Sequence, residues 1–148
     1  EIDEPDSNTL KGMRFLCAED NELNAEILME LLKIEGAECI ICENGERVLE
    51  AFEQSAPGYY DMILMDVQMP VMNGYDATRA IRRSTHELAK TIPIIAMTAN
   101  AFSEDIQYSL AAGMNAHISK PVDMKTLEKT IRRIKIGGRG TETQAIEQ

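Results

Sequence analysis

The sequence predicts an α/β fold, an open doubly wound sheet of five parallel strands with a helix after each. Two observations carry that expectation. Five short apolar runs, "MRFLCA", "AECIIC", "DMILMD", "IPIIAMT" and "AHISK", alternate with five stretches of helical character. The runs are continuously apolar rather than alternating, as in strands of a parallel sheet covered on both faces. Right-handed crossovers between such strands then give an open, doubly wound sheet.

Each element follows from its residues. After "MRFLCA", the segment "NELNAEILMELLKIEG" puts Leu23, Ile27, Leu28, Leu31 and Leu32 on one helical face, with Gly36 as its stop. "AECIIC" is the second strand, and a helix over Gly45–Gln54 ends at "SAPG". "DMILMD" is the third strand, and a helix over Asn73–Ser84 follows. "IPIIAMT" is the fourth strand, and Ser103 caps a helix through Ala112. "AHISK" is a short fifth strand, after which Asp123 caps a last helix to about Lys135. Residues 1–11 are polar and acidic and read as a linker. Residues 136–148 carry Gly137, Gly138 and Gly140 with no apolar period and read as a flexible tail or linker. One domain is therefore expected over residues 12–135, a common domain size.

Composition narrows the function. With 44% apolar and 27% charged residues, the chain is an ordinary globule. No run approaches the ~18–20 apolar residues of a membrane span, and no signal peptide opens the chain. The first residue is Glu1, as in a piece of a longer protein. A net charge of −10 argues against nucleic-acid binding, which rests on Lys and Arg displacing counterions. The basic residues Arg132, Arg133 and Lys135 read as a solvated helix end. Cys39 and Cys42 form a C-x-x-C, but on a strand their sulfurs point to opposite faces. Neither a second Cys pair nor a nearby His completes a zinc set, so the three cysteines read as structural, in a reducing compartment. His86, in the polar loop "STHELAK", is expected to be exposed.

In an open parallel sheet, ligands bind beyond the carboxyl ends of the strands. The first strand ends at Glu19-Asp20, the third at Asp66, the fourth at Thr98, and the fifth is followed by Lys120-Pro121. These five side chains are expected to converge on one edge. Each alone has a bland alternative: a helix-start acid pair, a solvated strand end, a β-branched strand residue, a surface lysine. Together they demand compensation, because carboxylates about 5 Å apart repel by roughly 3 kcal/mol per pair at an effective dielectric of 20. A raised pKa, the lysine or a divalent cation could supply it. A few carboxylates without Cys or His suit Mg²⁺ better than a Ca²⁺ cage.

The strings "FLCAEDN", "ILMDVQMPVMNG", "PIIAMTANA" and "HISKPVD" resemble the receiver domain of two-component response regulators, in particular the receivers of hybrid sensor histidine kinases. The likeness spans Met13 to about Lys135, and the M-P-x-M-N-G string and the S-K-P triplet are its most specific parts. It implies a flavodoxin-like (βα)5 sheet in the order 2-1-3-4-5. It implies that Asp66 accepts a phosphoryl group from a phosphohistidine. Glu19, Asp20, Asp66 and the Gln68 backbone carbonyl would hold Mg²⁺, while Thr98 and Lys120 bind the phosphoryl oxygens across a cis Lys120–Pro121 peptide. Thr98 and His117 match the switch pair; His117 stands where Tyr or Phe is common, and a half-buried imidazole with no switching part is the alternative. Gln68 and Asn100 match the positions that set phosphate lifetime, and Asn21 and Asn24 the start of the first helix.

The implied partners are a histidine kinase dimerisation domain or a histidine phosphotransfer protein, met by the first helix. No nucleic acid or membrane contact is expected of this domain. The implied setting is cytoplasmic, either free or as the cytoplasmic part of a membrane-bound hybrid kinase. It is not expected to be an enzyme beyond losing its own phosphate. Two rivals remain: a phosphorylation-independent interaction module of the same fold, and an aspartyl-phosphate phosphatase. The latter would want a second acid two residues after its nucleophile, where this chain has Gln68.

Overall fold

The computed structural model describes the backbone of residues 9–99 and 103–147, and side chains of residues 9–99 and 106–135. Five strands, β1 (Arg14–Ala18), β2 (Glu38–Cys42), β3 (Met62–Asp66), β4 (Ile94–Thr98) and β5 (Ala116–Ser119), alternate with five helices. These are α1 (Glu22–Ile34), α2 (Gly45–Gln54), α3 (Gly74–Arg83), α4 (Ser103–Ala112) and α5 (Met124–Glu147). The sheet is parallel throughout, in the order β2-β1-β3-β4-β5.

The period-two geometry of the strands sorts the core into two layers. Leu16, Ile63, Met65, Ile94 and Ala96 face Val48 and Phe52 of α2 and Ala77 and Ile81 of α3. Their sequence neighbours Phe15, Cys17, Met62, Leu64, Ile95 and Met97 face Leu28 and Leu32 of α1 and Leu127 and Ile131 of α5. Every residue of β3 and β4 is buried, so these central strands are the rigid part of the molecule. Fully burying one such Leu, Ile or Met is worth ~1.5–3 kcal/mol. Cys39 packs with the α1–α5 layer and Cys42 with the α2–α3 layer, on opposite faces as the spacing requires. All three cysteines are free thiols.

Short polar side chains start the helices. Asn21, Asn44 and Asn73 each accept the backbone N–H three residues on, at 2.9 Å, and Asp123 does so from Thr126 at 3.1 Å. Gly36 ends α1 in the left-handed region at φ 84°. Gly74 has a different reason. A Cβ there would run into the Asp66 carbonyl oxygen and lie 3.0 Å from both Val67 Cα and Met65 Cγ. The Gly74 N–H also donates to Val67 O at 2.9 Å. Absence of a side chain thus lets α3 start directly against the end of β3.

Five expectations need correction. Leu10 is fully buried with Met13, Phe15 and Leu32, so the core reaches two residues into the expected linker; one apolar residue among polar ones leaves no period to read. Residues 1–8 lie outside the described residues. The last helix continues to Glu147 rather than stopping near Lys135, since glycine weakens a helix without the hard block of proline. Arg132, Arg133 and Lys135 therefore lie mid-helix, and the helix-end argument for them falls. On α1 only Leu28 and Leu32 are buried; Leu23 is 64% and Ile27 48% exposed, because the apolar stripe is wider than the sheet can cover. His86 is half-buried rather than free: its ring lies 4.1 Å from Phe52, Nδ1 accepts from the Leu88 N–H at 3.0 Å, and Nε2 meets Ser55 O at 3.0 Å. The cap expected of Ser103 lies outside the described side chains.

Gly74→Ala should lower unfolding free energy by about 1–3 kcal/mol in urea melts, the usual cost of forcing extra volume against packed backbone. Wild-type stability in that variant would contradict the contact.

Candidate functional site

The order 2-1-3-4-5 reverses direction between β1 and β3, and the acidic side chains gather beyond that point. Glu19 follows β1, with its N–H on Cys42 O at 3.0 Å, and is buried; Asp20, next along, is exposed. Asp66 is the buried last residue of β3. Lys120 follows β5, its N–H on Thr98 O at 2.9 Å, and its peptide to Pro121 is cis. Thr98, the last residue of β4, is buried.

The ammonium of Lys120 reaches across two strands. Its Nζ lies 3.1 Å from Asp66 Oδ2 and 3.3 Å from Glu19 Oε1. The other oxygens take backbone donors: Glu19 Oε2 accepts from Asn21 N at 3.2 Å, and Asp66 Oδ1 faces Gln68 N at 3.4 Å. One oxygen each from Glu19, Asp20 and Asp66 falls within 4.8 Å of the others. A cleft of about 660 Å³ opens over them, and Thr98 and Lys120 line it too. All five expected side chains are therefore together.

These arrangements match a known family. Residues 15–132 match the response regulator receiver domain. The chain belongs to that family.

Among curated relatives, this receiver domain is 40% identical over 124 residues to hybrid signal transduction histidine kinase G of Dictyostelium discoideum. It is 37% identical over 122 residues to sensor protein GacS of Pseudomonas syringae pv. syringae. The matches cover 82% of this chain but only 4% and 13% of those proteins, so the chain spans a small part of their length. The receiver domain of sensor histidine kinase PA1611 from Pseudomonas aeruginosa, solved with magnesium in its active-site cleft, is 36% identical with a TM-score of 0.72. That match covers 82% of this chain and 96% of that one. The receiver domain of Ssk1 from Saccharomyces cerevisiae, solved with the histidine phosphotransfer protein Ypd1, lies in a match of 28% identity and TM-score 0.69, covering 80% and 86%.

The electrostatics of this receiver domain favour a cation. Burial pushes the Asp66 carboxyl up to about 6, with Glu19 adding to the rise and Lys120 and the Gln68 N–H opposing it. Burial pulls the Lys120 ammonium down, but Asp66 and Glu19 together hold it above its ordinary value. Three ionised carboxylates and one ammonium leave two uncompensated negative charges, the charge of one Mg²⁺. The donors are hard oxygens, and among the described residues no Cys or His joins the group. The residues therefore fit a small divalent ion.

Other expected residues stand less close to the chemistry. Gln68 lines the cleft and is exposed, as are Asn21 and Asn24. His117 is half-buried on β5, between Ala116 and Ile118 of the α1–α5 layer, so it stands on the opposite face. Asn100 lies outside the described residues. The Met-Pro and Asn-Gly pairs after the acid announce a sharp turn, but sequence reasoning missed the conformation of Val71 within it. Val71, 76% exposed, sits at φ 68°, and the Met72 N–H closes on Pro70 O at 2.6 Å in a three-residue turn. A β-branched residue with positive φ is strained. It also missed Tyr75 and Tyr108, which line the cleft.

The raised carboxyl of Asp66 has a signed consequence. Its neutral form stabilises the fold fully below about pH 4, and that contribution disappears as pH rises through about 6. In EDTA, Asp66→Asn should gain about 1–3 kcal/mol over the unaltered chain at pH 7.5 and almost nothing at pH 4. Urea melts at the two pH values check this; equal differences at both would contradict a raised Asp66.

Proposed function

We propose that this receiver domain accepts a phosphoryl group on Asp66 from a phosphohistidine and passes the signal through the change that follows. The observation that carries the reading is Lys120 Nζ, 3.1 Å from Asp66 and 3.3 Å from Glu19, beside three carboxylates that can share one ion. Phosphoryl transfer asks a protein mainly for positioning and charge neutralisation. Asp66, fixed on a strand with no exposed residue, supplies the attacking oxygen. Lys120 draws the phosphoryl oxygens, and the Thr98 hydroxyl at the neighbouring strand end gives them a donor.

Glu19, Asp20 and Asp66, with the Gln68 carbonyl, would hold Mg²⁺. When bound, that ion supplies positive charge to the transferring group and keeps Asp66 ionised. His117 on β5 is the residue that would follow Thr98 when the site fills. In this role the domain is a substrate of its donor and hydrolyses only its own phosphate.

The donor is a histidine kinase dimerisation domain or a histidine phosphotransfer protein, meeting α1. Leu23 and Ile27 stand exposed there. Beside them a groove of about 280 Å³ is lined by Ile27, Leu31, Met97, Pro121 and Val122 and shares Glu19 and Lys120 with the acid cleft. The Ypd1 complex of the similar Ssk1 receiver supports a partner of this kind. The likeness to small parts of hybrid kinases supports placing the domain in the cytoplasm, within such a kinase. Among the described residues no helix is long and apolar enough to cross a membrane.

With acetyl phosphate and Mg²⁺, the unaltered chain should gain one phosphoryl group on the peptide containing Asp66, read by mass spectrometry. Asp66→Ala should gain none, and Lys120→Met should gain it more than about tenfold more slowly, the effect of losing a single charge-stabilising contact of about 1.4 kcal/mol. Undiminished labelling of Asp66→Ala would defeat the assignment.

A further inference from the structure

The cleft is lined by unlike groups. Asn21, just before α1, and Asn24 of α1 contribute amides; Tyr75 of α3 and Tyr108 of α4 contribute aromatic rings. The tyrosine ring centroids are 6.2 Å apart with planes at 66°, the edge-on arrangement aromatic pairs favour. Tyr75 is half-buried in the first turn of α3, whose start is pinned against β3 by the close approach of Gly74 to the Asp66 carbonyl. Tyr108 is 61% exposed, so it contributes little to the core. Its ring meets Tyr75 and lines the cleft.

We propose that the Tyr75–Tyr108 pair shields the cleft on its α3–α4 side and so sets how long a phosphoryl group on Asp66 survives. The inference rests on Asp66 as acceptor. Loss of that group is hydrolysis. A water oxygen bonds to phosphorus while the bond from phosphorus to the Asp66 oxygen breaks. The carboxylate leaves with the electron pair, the water proton passes to solvent, and orthophosphate departs. Attack and departure are roughly in line, so the water must come from the side of the phosphorus away from Asp66, toward solvent. Both rings line the cleft that this water must enter, and they take up space that it would occupy. A tyrosine hydroxyl is a poor proton acceptor and offers the water no effective base. The rings thus exclude water without helping it react.

The pair joins two helices, so it is a positioning device outside the reacting atoms. The test charges the chain with acetyl phosphate and Mg²⁺, removes the donor, and follows decay of the acyl phosphate by phosphate-affinity electrophoresis. Tyr108→Ala should lose phosphate about threefold faster or more, a modest change on the barrier scale of tenfold per 1.36 kcal/mol. Tyr108→Phe, which keeps the ring, should decay like the unaltered chain, a rescue that a role for the hydroxyl would not give. Unchanged decay in Tyr108→Ala, or decay in Tyr108→Phe as fast as in Tyr108→Ala, overturns the shield. Absence of label on the unaltered chain overturns the Asp66 reading as well, whereas label with equal lifetimes overturns the shield alone.

Discussion

One lysine makes the acidic edge tolerable. Lys120 places a single ammonium between Glu19 and Asp66, two buried carboxylates delivered by adjacent strands. Without that cation, the two acids would face each other with little water to screen them. Even with it, Asp66 stays partly uncompensated, and its carboxyl sits near 6 because burial outweighs the lysine. The site is thus short of positive charge, and this is its chemical capacity: a divalent ion held by Glu19, Asp20 and Asp66 would complete the balance.

The rest of the structure holds that shortage in place. β3 and β4 are buried along their whole length, which fixes Asp66 and Thr98 relative to each other. The Lys120 N–H on Thr98 O ties the lysine backbone to the same edge. Beyond Asp66 the chain turns away through a strained Val71 and restarts as α3 at Gly74, so the carboxylate is left open toward the cleft. The two core layers, with Phe15, Phe52, Leu16 and Leu32 among their fully buried side chains, offset the cost of the acid cluster.

Much of this was legible in the chain because strand ends are punctuated by chemistry. Apolar runs stopping at Glu19-Asp20, Asp66 and Thr98 need only a parallel sheet to bring them together, and helix starts at Asn21, Asn73 and Asp123 announce themselves by short polar caps. What escaped depends on surfaces meeting surfaces. Leu10 has no periodic neighbours, yet it fills a gap between β1 and α1. Leu23 and Ile27 share an apolar stripe with Leu28, but the sheet covers only part of a helix. His86 sits in a polar loop, and only the packing of that loop on Phe52 gives it partners. Tyr75 and Tyr108 lie 33 positions apart on different helices, with no motif to link them. The positive φ of Val71 has no local sign, since Val avoids that conformation.

The account stands or falls on the charge state of Asp66. Its carboxyl carbon, followed by NMR through a pH titration, should show a midpoint near 6 in EDTA, driven by burial and by Glu19. Added Mg²⁺ should bring that midpoint well down, because a bound cation favours the ionised form. A midpoint at the ordinary carboxylate value of about 3.9, unmoved by Mg²⁺, would show that the acids, the lysine and the ion do not form one electrostatic unit.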